Sequence, residues 1–180
     1  MDSEPKNALI TGPPRSGKTT AIERAVSLLR EEGLTVGGII CPELREDGKR
    51  VGFEIVDLAD GDRETMAHVD FPSGPSVGKY RVDVAAVDRV AGEAISRART
   101  DADCVVIDEI APMELASDRF LEETRRALEA PVPVVAAIKH GSREGFLGEV
   151  KERGDLEVFE VTVETRDELP ETVLEWVRSR

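Results

Sequence analysis

The sequence has few aromatic residues, cysteines and lysines, and it has no long hydrophobic run. Aromatic residues make up 4% of the 180 residues, too few for the stacking platform of a single-stranded nucleic-acid binder. The two cysteines, Cys41 and Cys104, form no metal-binding cluster, and we expect both to be free thiols. No apolar run approaches the roughly 18 residues of a membrane span, and residues 1–6 are polar. These absences predict a cytoplasmic protein with no membrane attachment.

The chain is strongly acidic, with 37 Asp and Glu residues, 24 Lys and Arg residues and a net charge of -13. Such a surface repels phosphate backbones, which argues against nucleic acid as a partner. The acidity and the preference for arginine over lysine also suggest a halophilic protein from a high-salt cytoplasm. With 40% hydrophobic residues, a chain of this length can bury a core, so we expect one domain over residues 1–180.

Short apolar runs alternate with helical patterns along the chain. The apolar runs cover residues 7–11, 36–41, 104–107, 132–138 and 157–161. Their nearly continuous hydrophobicity is typical of strands that are covered on both faces. A helix is predicted over residues 19–32, and this alternation indicates a mostly parallel α/β sheet. Asp47 and Gly48 form a turn signal, so we expect an antiparallel β-hairpin beside the parallel core.

A phosphate-binding motif follows the first apolar run directly. The pattern G-x-x-x-x-G-K-[ST] is matched in full, and the nucleotide-binding loop is predicted to consist of Gly12, Pro13, Pro14, Arg15, Ser16, Gly17, Lys18, Thr19 and Thr20. Between a strand and a helix, such a loop directs backbone N–H groups at phosphate. Lys18 would contact the β- and γ-phosphates, and the Thr19 hydroxyl would bind Mg²⁺.

Two acids end a second apolar run, as in a Walker B strand. We include the whole segment in the predicted nucleotide site: Val105, Val106, Ile107, Asp108, Glu109, Ile110 and Ala111. The carboxyl ends of parallel strands form the ligand-binding edge of open α/β sheets. Neighbouring strand residues point to opposite sides, so we expect separate roles for the two acids. Asp108 is predicted to bind Mg²⁺, and Glu109 to polarise the attacking water.

The sequence resembles a family of small P-loop enzymes, often called cancer-related nucleoside-triphosphatases, nearly from end to end. The resemblance is carried by the segments 11–14, 17–20, 43–53, 77–80, 107–110, 113–115, 159–162 and Arg166. It implies a three-layer, RecA-like P-loop fold with a mostly parallel central sheet. It also implies slow, Mg²⁺-dependent hydrolysis of ATP, GTP and other nucleoside triphosphates to the diphosphate and phosphate, with loose base preference.

Three residues depart from the pattern of that family. Arg15 stands where the loop usually has glycine, so it strains the loop if its φ angle is positive, or it adds a positive group over the phosphates. Ala111 replaces a glycine after the two acids, and we expect little effect. Thr165 replaces an asparagine before Arg166, so the resemblance does not imply contacts between this position and the nucleotide base.

Other cations and acids are weaker candidates for the site. Five cations could stabilise the transferring phosphate, although for any single one a surface cation that balances nearby acids is the favoured interpretation: Arg45, Arg50, Lys79, Arg119 and Arg143. We favour Lys79, because the preceding loop, residues 74–78, could close on the nucleotide. Glu114 is either an acid behind the site or a helix-start residue. Lys139 and His140 follow a strand at the active edge, whereas His68 and Trp176 are interpreted as structural.

Two alternatives to hydrolysis remain open from the sequence. The same loop serves kinases that transfer phosphate to a small molecule or to a nucleic-acid end. It also serves nucleotide-regulated switches that bind a partner. No acceptor pocket can be recognised in the sequence, and the sequence does not indicate an oligomeric state.

Overall fold

A ten-stranded mixed sheet forms the centre of the computed structural model, which describes residues 4–180. The strands are β1 (Asn7–Thr11), β2 (Val36–Ile40), β3 (Glu43–Glu46), β4 (Lys49–Asp57), β5 (Arg63–His68), β6 (Ser76–Val77), β7 (Tyr80–Val82), β8 (Cys104–Ile110), β9 (Val134–Ile138) and β10 (Leu156–Glu160). The helices are α1 (Lys18–Glu31), α2 (Val84–Asp101), α3 (Pro112–Leu115), α4 (Asp118–Glu129), α5 (Gly145–Lys151) and α6 (Leu169–Arg178).

Five parallel strands form the half of the sheet that carries both motifs. Their order is β10-β1-β9-β8-β2, and every neighbouring pair among them is parallel. Strand β9 therefore lies between β1, which leads into the phosphate-binding motif, and β8, which carries the two acids. This strand order is the RecA-like arrangement, so the predicted fold class is confirmed.

Helices cover the parallel strands on both faces, which makes three layers. On one face, α1 and α6 pack over a cluster that includes Ala8, Ile10 and Val106. On the other face, α2, α4 and α5 pack over a cluster that includes Leu9 and Ile107. Successive strand residues alternate between the two clusters, as the pleat of a strand requires. Because both faces are buried, the strands are apolar throughout, and this pattern made them recognisable in the sequence.

The antiparallel half of the sheet is larger than the predicted hairpin. The hairpin itself is present as β3 and β4, with positive φ angles at Asp47 and Gly48 in its turn. Strand β4 also pairs with β2 and β5, and the sheet continues through β7 to β6. The additional strands are short and partly exposed, so they lack the apolar runs that identify buried strands. The prediction of a single hairpin therefore underestimated the antiparallel part of the sheet.

Both cysteines are free thiols, as expected. Cys104 is buried in β8, and its burial raises the pKa of the thiol to about 12. Within residues 4–180, no helix combines the length and the apolar character needed to cross a membrane.

Candidate active site

The phosphate-binding loop is a tight turn between β1 and α1. The Ser16 backbone N–H donates to the Pro13 carbonyl at 3.2 Å, and Gly17 has a φ angle of 98° just before the helix. A Cβ atom on Gly12 would lie 2.8 Å from Ser16 Oγ and 3.0 Å from the Val161 carbonyl oxygen. The chain therefore needs glycine at both ends of the loop, for space at the first and for the backbone conformation at the second.

The first turn of α1 differs from the first turns of α2 and α4. In α2 the Asp83 carboxylate accepts from the Ala86 N–H, and in α4 the Ser117 hydroxyl accepts from the Phe120 N–H. Helix α1 has no side-chain cap and no acidic residue in its first turn. Its N–H groups and the positive end of its dipole thus remain available for an anion beside the loop.

Arg15 adopts a left-handed backbone conformation, with a φ angle of 65°. A positive φ angle disfavours residues other than glycine, so Arg15 strains the loop. The side chain is exposed at the surface of the loop. Arg15 thus adds a cation to the phosphate-binding loop and costs backbone energy.

Lys18 and Glu109 bring the two motifs together. The Lys18 ammonium lies 3.2 Å from Glu109 Oε2 and donates to the Ile138 carbonyl oxygen at 3.5 Å. The ion pair is only partly buried, with 14% of the Lys18 side chain and 32% of the Glu109 side chain exposed. A phosphate bound by Lys18 would therefore lie within reach of the Glu109 carboxylate.

Asp108 is 3% exposed, and its Oδ2 atom has no hydrogen-bond partner among residues 4–180. Burial, with a further contribution from the charge of Glu109, raises the pKa of Asp108 to about 7. A hydrogen bond from Thr19 acts in the opposite direction. Asp108 is thus a desolvated carboxyl group that faces the first turn of α1.

The two acids contact different residues at the start of α1, in keeping with the separate roles expected for them. Asp108 contacts Thr19 and Glu109 contacts Lys18, so both carboxyl groups face the start of α1. The pairing of β8 with β9 shifts between Ile107 and Ile110, where three residues of β8 advance against two of β9. Such a bulge interrupts the regular alternation of side chains, and no single-strand pattern reveals it.

Five apolar residues of the predicted nucleotide-binding segment do not reach the phosphate-binding loop. The side chains are at most 8% exposed and pack in the core: Val105, Val106, Ile107, Ile110 and Ala111. They pack the core beneath the two acids, and Asp108 and Glu109 are the polar side chains of this segment.

Asp108 and Thr19 form a fitting site for a divalent cation. The buried, unpartnered Oδ2 atom and the neighbouring hydroxyl are oxygen ligands of the kind that Mg²⁺ prefers. Within residues 4–180, no group of three or more His, Cys, Asp or Glu side chains could hold a metal ion by itself. The remaining ligands would therefore be phosphate oxygens and water, as is usual for Mg²⁺ at nucleotide sites.

Glu114 is the acid whose role the sequence left open. It lies in the short helix α3, is 3% exposed, and its Oε2 atom has no partner among the described residues. Burial, followed by the charge of Glu109, raises its pKa well above the usual range, and the Cys41 thiol is a hydrogen-bonding neighbour. The side chain is therefore a buried acid behind Asp108 and Glu109. In the sequence, Glu114 could be found because residues 113–115 are one of the segments that carry the family resemblance.

A glycine-rich loop between β1 and α1, facing two acids at the end of β8 in a RecA-like strand order, defines a P-loop nucleotide-binding protein. A family model described as NTPase matches residues 7–174. The chain belongs to this NTPase family, which confirms the family resemblance.

Relatives and solved structures agree with this assignment over nearly the full chain. The nucleoside-triphosphatase THEP1 of Methanopyrus kandleri is 46% identical over 181 residues, covering 98% of this chain and 99% of the relative. THEP1 of Thermofilum pendens is 45% identical over 166 residues, covering 92% and 91%. The crystal structure of THEP1 from Aquifex aeolicus has a TM-score of 0.83 at 29% identity, covering 95% and 98%. A human cancer-related nucleoside triphosphatase in solution has a TM-score of 0.80 at 31% identity, covering 97% and 98%.

Proposed function

We propose that this protein hydrolyses nucleoside 5′-triphosphates, including ATP and GTP, to the nucleoside diphosphate and phosphate. The observation that carries the proposal is the 3.2 Å pair between Lys18 of the phosphate-binding loop and Glu109 of the second motif. It joins a group that binds the terminal phosphates to a group that can accept a proton from water. The names of the relatives, nucleoside-triphosphatase, support the same reaction.

Each polar group has a distinct role in this proposal. The free N–H groups of the loop, at Arg15 and Gly17, and those of the first turn of α1 bind and orient the phosphates. Lys18 neutralises the negative charge that develops on the β- and γ-oxygens. Glu109 orients the attacking water and takes its proton. Thr20 and the exposed loop residues Pro13 and Pro14 shape the entrance of the site together with the half-buried Ser16, and they need no chemical role.

Mg²⁺ is the proposed metal ion, with Thr19 and Asp108 as its protein ligands. When bound, it would neutralise charge on the phosphate oxygens. The buried Oδ2 atom of Asp108 supports this role, since an unpartnered carboxylate oxygen at 3% exposure otherwise costs free energy.

The setting of the reaction is also part of the proposal. The net charge of -13 and the small number of lysines support a halophilic, cytoplasmic protein that acts as one domain. The same charge disfavours nucleic acid as a partner. Loose base preference is proposed on the ground of the family resemblance alone. No contact among the described residues favours the kinase or the switch over hydrolysis.

Product analysis tests the proposal. The protein would be incubated with ATP, GTP, CTP and UTP, with Mg²⁺ or with EDTA, and with or without nucleic acid and small hydroxyl compounds. We expect equal amounts of diphosphate and free phosphate from several bases, only with Mg²⁺, and no dependence on a hydroxyl compound. Diphosphate formed without free phosphate, and only with an added acceptor, would instead identify a kinase. Turnover that needs a protein partner would favour the switch.

A further inference from the structure

Three of the five candidate cations for the transferring phosphate are bound elsewhere. Arg45 and Arg50 both form ion pairs with Glu43, at 2.8 and 3.1 Å. Arg119 donates to the Asp88 carbonyl oxygen at 3.0 Å and packs over α2. These contacts engage all three guanidinium groups with other residues of the chain.

Lys79, which the sequence favoured, lies too far away. It belongs to the turn between β6 and β7, and its ammonium lies 5.4 Å from the centre of the Tyr80 ring. Strand β7 is six strands from β1 in the sheet, a separation of roughly 30 Å at the usual strand spacing. The lysine therefore cannot reach a phosphate bound at the start of α1 within the same chain.

Arg143 lies beside the phosphate-binding loop instead. It lines a cavity of about 280 Å³ together with Thr11 and Ile138. Thr11 is the residue immediately before the loop, and the Ile138 carbonyl oxygen accepts a hydrogen bond from Lys18. Among residues 4–180, no carboxylate lies within ion-pair distance of the Arg143 guanidinium. The cavity thus places an unpaired arginine near Ile138, whose carbonyl oxygen accepts from the lysine of the phosphate-binding loop.

The loop that carries Arg143 is held in place by two contacts. The Lys151 ammonium donates to the carbonyl oxygens of Lys139 and Ser142, at 2.7 and 2.5 Å. Gly148 packs directly under the loop, since a Cβ atom there would lie 2.2 Å from the Arg143 carbonyl oxygen. Arg143 therefore projects from a fixed segment between β9 and α5, and its position is set by the fold.

The charges around the cavity favour an anion. Burial lowers the pKa of Lys151, and the positive charges of Arg143 and Lys18 lower it further. Three cations that repel one another are thus gathered in a chain with a net charge of -13. Glu109 neutralises only one of them, through its pair with Lys18. A terminal phosphate with its negative oxygens would remove this repulsion.

We propose that Arg143 supplies, from within the chain, the guanidinium that stabilises the charge on the γ-phosphate during hydrolysis. This inference rests on the proposed function. Water attacks the γ-phosphorus and passes its proton to Glu109. The bond between the γ-phosphorus and the bridging oxygen breaks, and its electron pair remains on the β-phosphate of the leaving diphosphate. Arg143 forms no covalent bond and stabilises the γ-oxygens electrostatically, as an arginine finger does.

Four variants test this role: Arg143→Ala, Arg143→Lys, Lys18→Ala and the control Arg178→Ala. Arg178 is a similarly exposed arginine, but it lies at the far end of α6, where it pairs with Glu32. We expect Arg143→Ala to lower kcat at least about 100-fold. Affinity for ADP should change less than about threefold, because ADP has no γ-phosphate. Affinity for ADP with aluminium fluoride, which imitates the transferring phosphate, should fall strongly. Arg143→Lys should recover part of kcat, and Arg178→Ala should match the wild type.

The results distinguish a failure of the role proposed for Arg143 from a failure of the proposed function. If Lys18→Ala is inactive but Arg143→Ala keeps the kcat of the Arg178→Ala control, the role of Arg143 is wrong and the hydrolytic site stands. An equal loss of affinity for ADP and for ADP with aluminium fluoride would also overturn the role, because it would show simple phosphate binding. If Lys18→Ala and Arg143→Ala both keep full activity, the proposed function at this site fails as well. Thermal midpoints of all four variants show whether each one is folded.

Discussion

The cations at the phosphate-binding edge of the sheet differ from those on the rest of the surface. At that edge, no carboxylate among residues 4–180 lies within ion-pair distance of Arg15, Arg143 or Arg166, and the Lys18 ammonium pairs with Glu109. Elsewhere, many arginines are matched with acids, as in the pairs that β4 and the following turn form with α2 and in those between α4 and α5. The phosphate-binding edge thus combines unpaired arginines with a lysine whose pair with Glu109 is only partly buried, an arrangement that suits an anion.

The difference in pairing predicts which substitutions of cations change activity and which change stability. A cation that pairs with a buried acid supports the fold, because removal leaves a desolvated charge. A cation without an acid partner contributes little to the fold and is available for a ligand. Changes at the phosphate-binding edge should thus alter activity with little loss of stability, and changes at the matched pairs should do the reverse.

The largest effect is expected from Glu109→Gln. This change removes the proton acceptor, which is also the acid that pairs with Lys18, while it keeps the size of the side chain. We expect kcat to fall about 100- to 10,000-fold. Nucleotide affinity should be kept or increased, because the phosphate no longer competes with the carboxylate for Lys18. Steady-state phosphate release and calorimetric titration with a non-hydrolysable nucleotide measure the two quantities. A variant with parental kcat would show that Glu109 is not the base.

Arg97→Ala should lower stability and leave activity unchanged. Arg97 pairs with Asp57, whose side chain is 5% exposed, so the change leaves a buried carboxylate without its cation. We expect a loss of about 1–3 kcal/mol in the free energy of unfolding, with kcat unchanged. The control is Arg63→Ala, since Arg63 is 59% exposed and pairs with Glu54 at 3.5 Å. It should lose less than about 1 kcal/mol. Equal losses in urea denaturation would contradict the distinction between buried and exposed pairs.

Added salt should stabilise the protein as a whole. At molar salt the screening length falls to about 3 Å, so the repulsion behind the net charge of -13 is largely removed. We expect the free energy of unfolding to rise by about 1 kcal/mol between low and molar salt, a shift of about 2–4 °C in Tm. Calorimetry in KCl measures it. The same stability at both salt concentrations would rule out the halophilic interpretation.

The smallest effect is expected from Arg15→Gly. The φ angle of 65° disfavours arginine and suits glycine, while glycine gains more freedom in the unfolded chain. We expect a net stabilisation of about 0.5–1 kcal/mol in urea denaturation. Arg15→Ala removes the same charge but keeps the unfavourable backbone, so it should not stabilise. If the glycine and alanine variants are equally stable, the backbone conformation is not the cause.

Local patterns in the sequence predicted the main parts of the fold and the site. The loop at residues 12–19 and the apolar strand before Asp108 depend on contiguous residues, so they were recognisable, and α1 begins within one residue of its predicted start. The strands β5 and β7 were missed because they are short and partly polar. The bulge in β8 and the separation of Lys79 from the loop depend on strand pairing, which a single sequence does not specify.

The most direct test of the account is phosphate release by Lys18→Ala at saturating ATP and Mg²⁺, measured beside the wild type and Arg178→Ala. Lys18 is the residue through which the loop, Glu109 and the Arg143 cavity are connected. We predict that Lys18→Ala releases phosphate at least about 100-fold more slowly than both, with an unchanged thermal midpoint. Release at the wild-type rate by a folded Lys18→Ala variant would contradict the account.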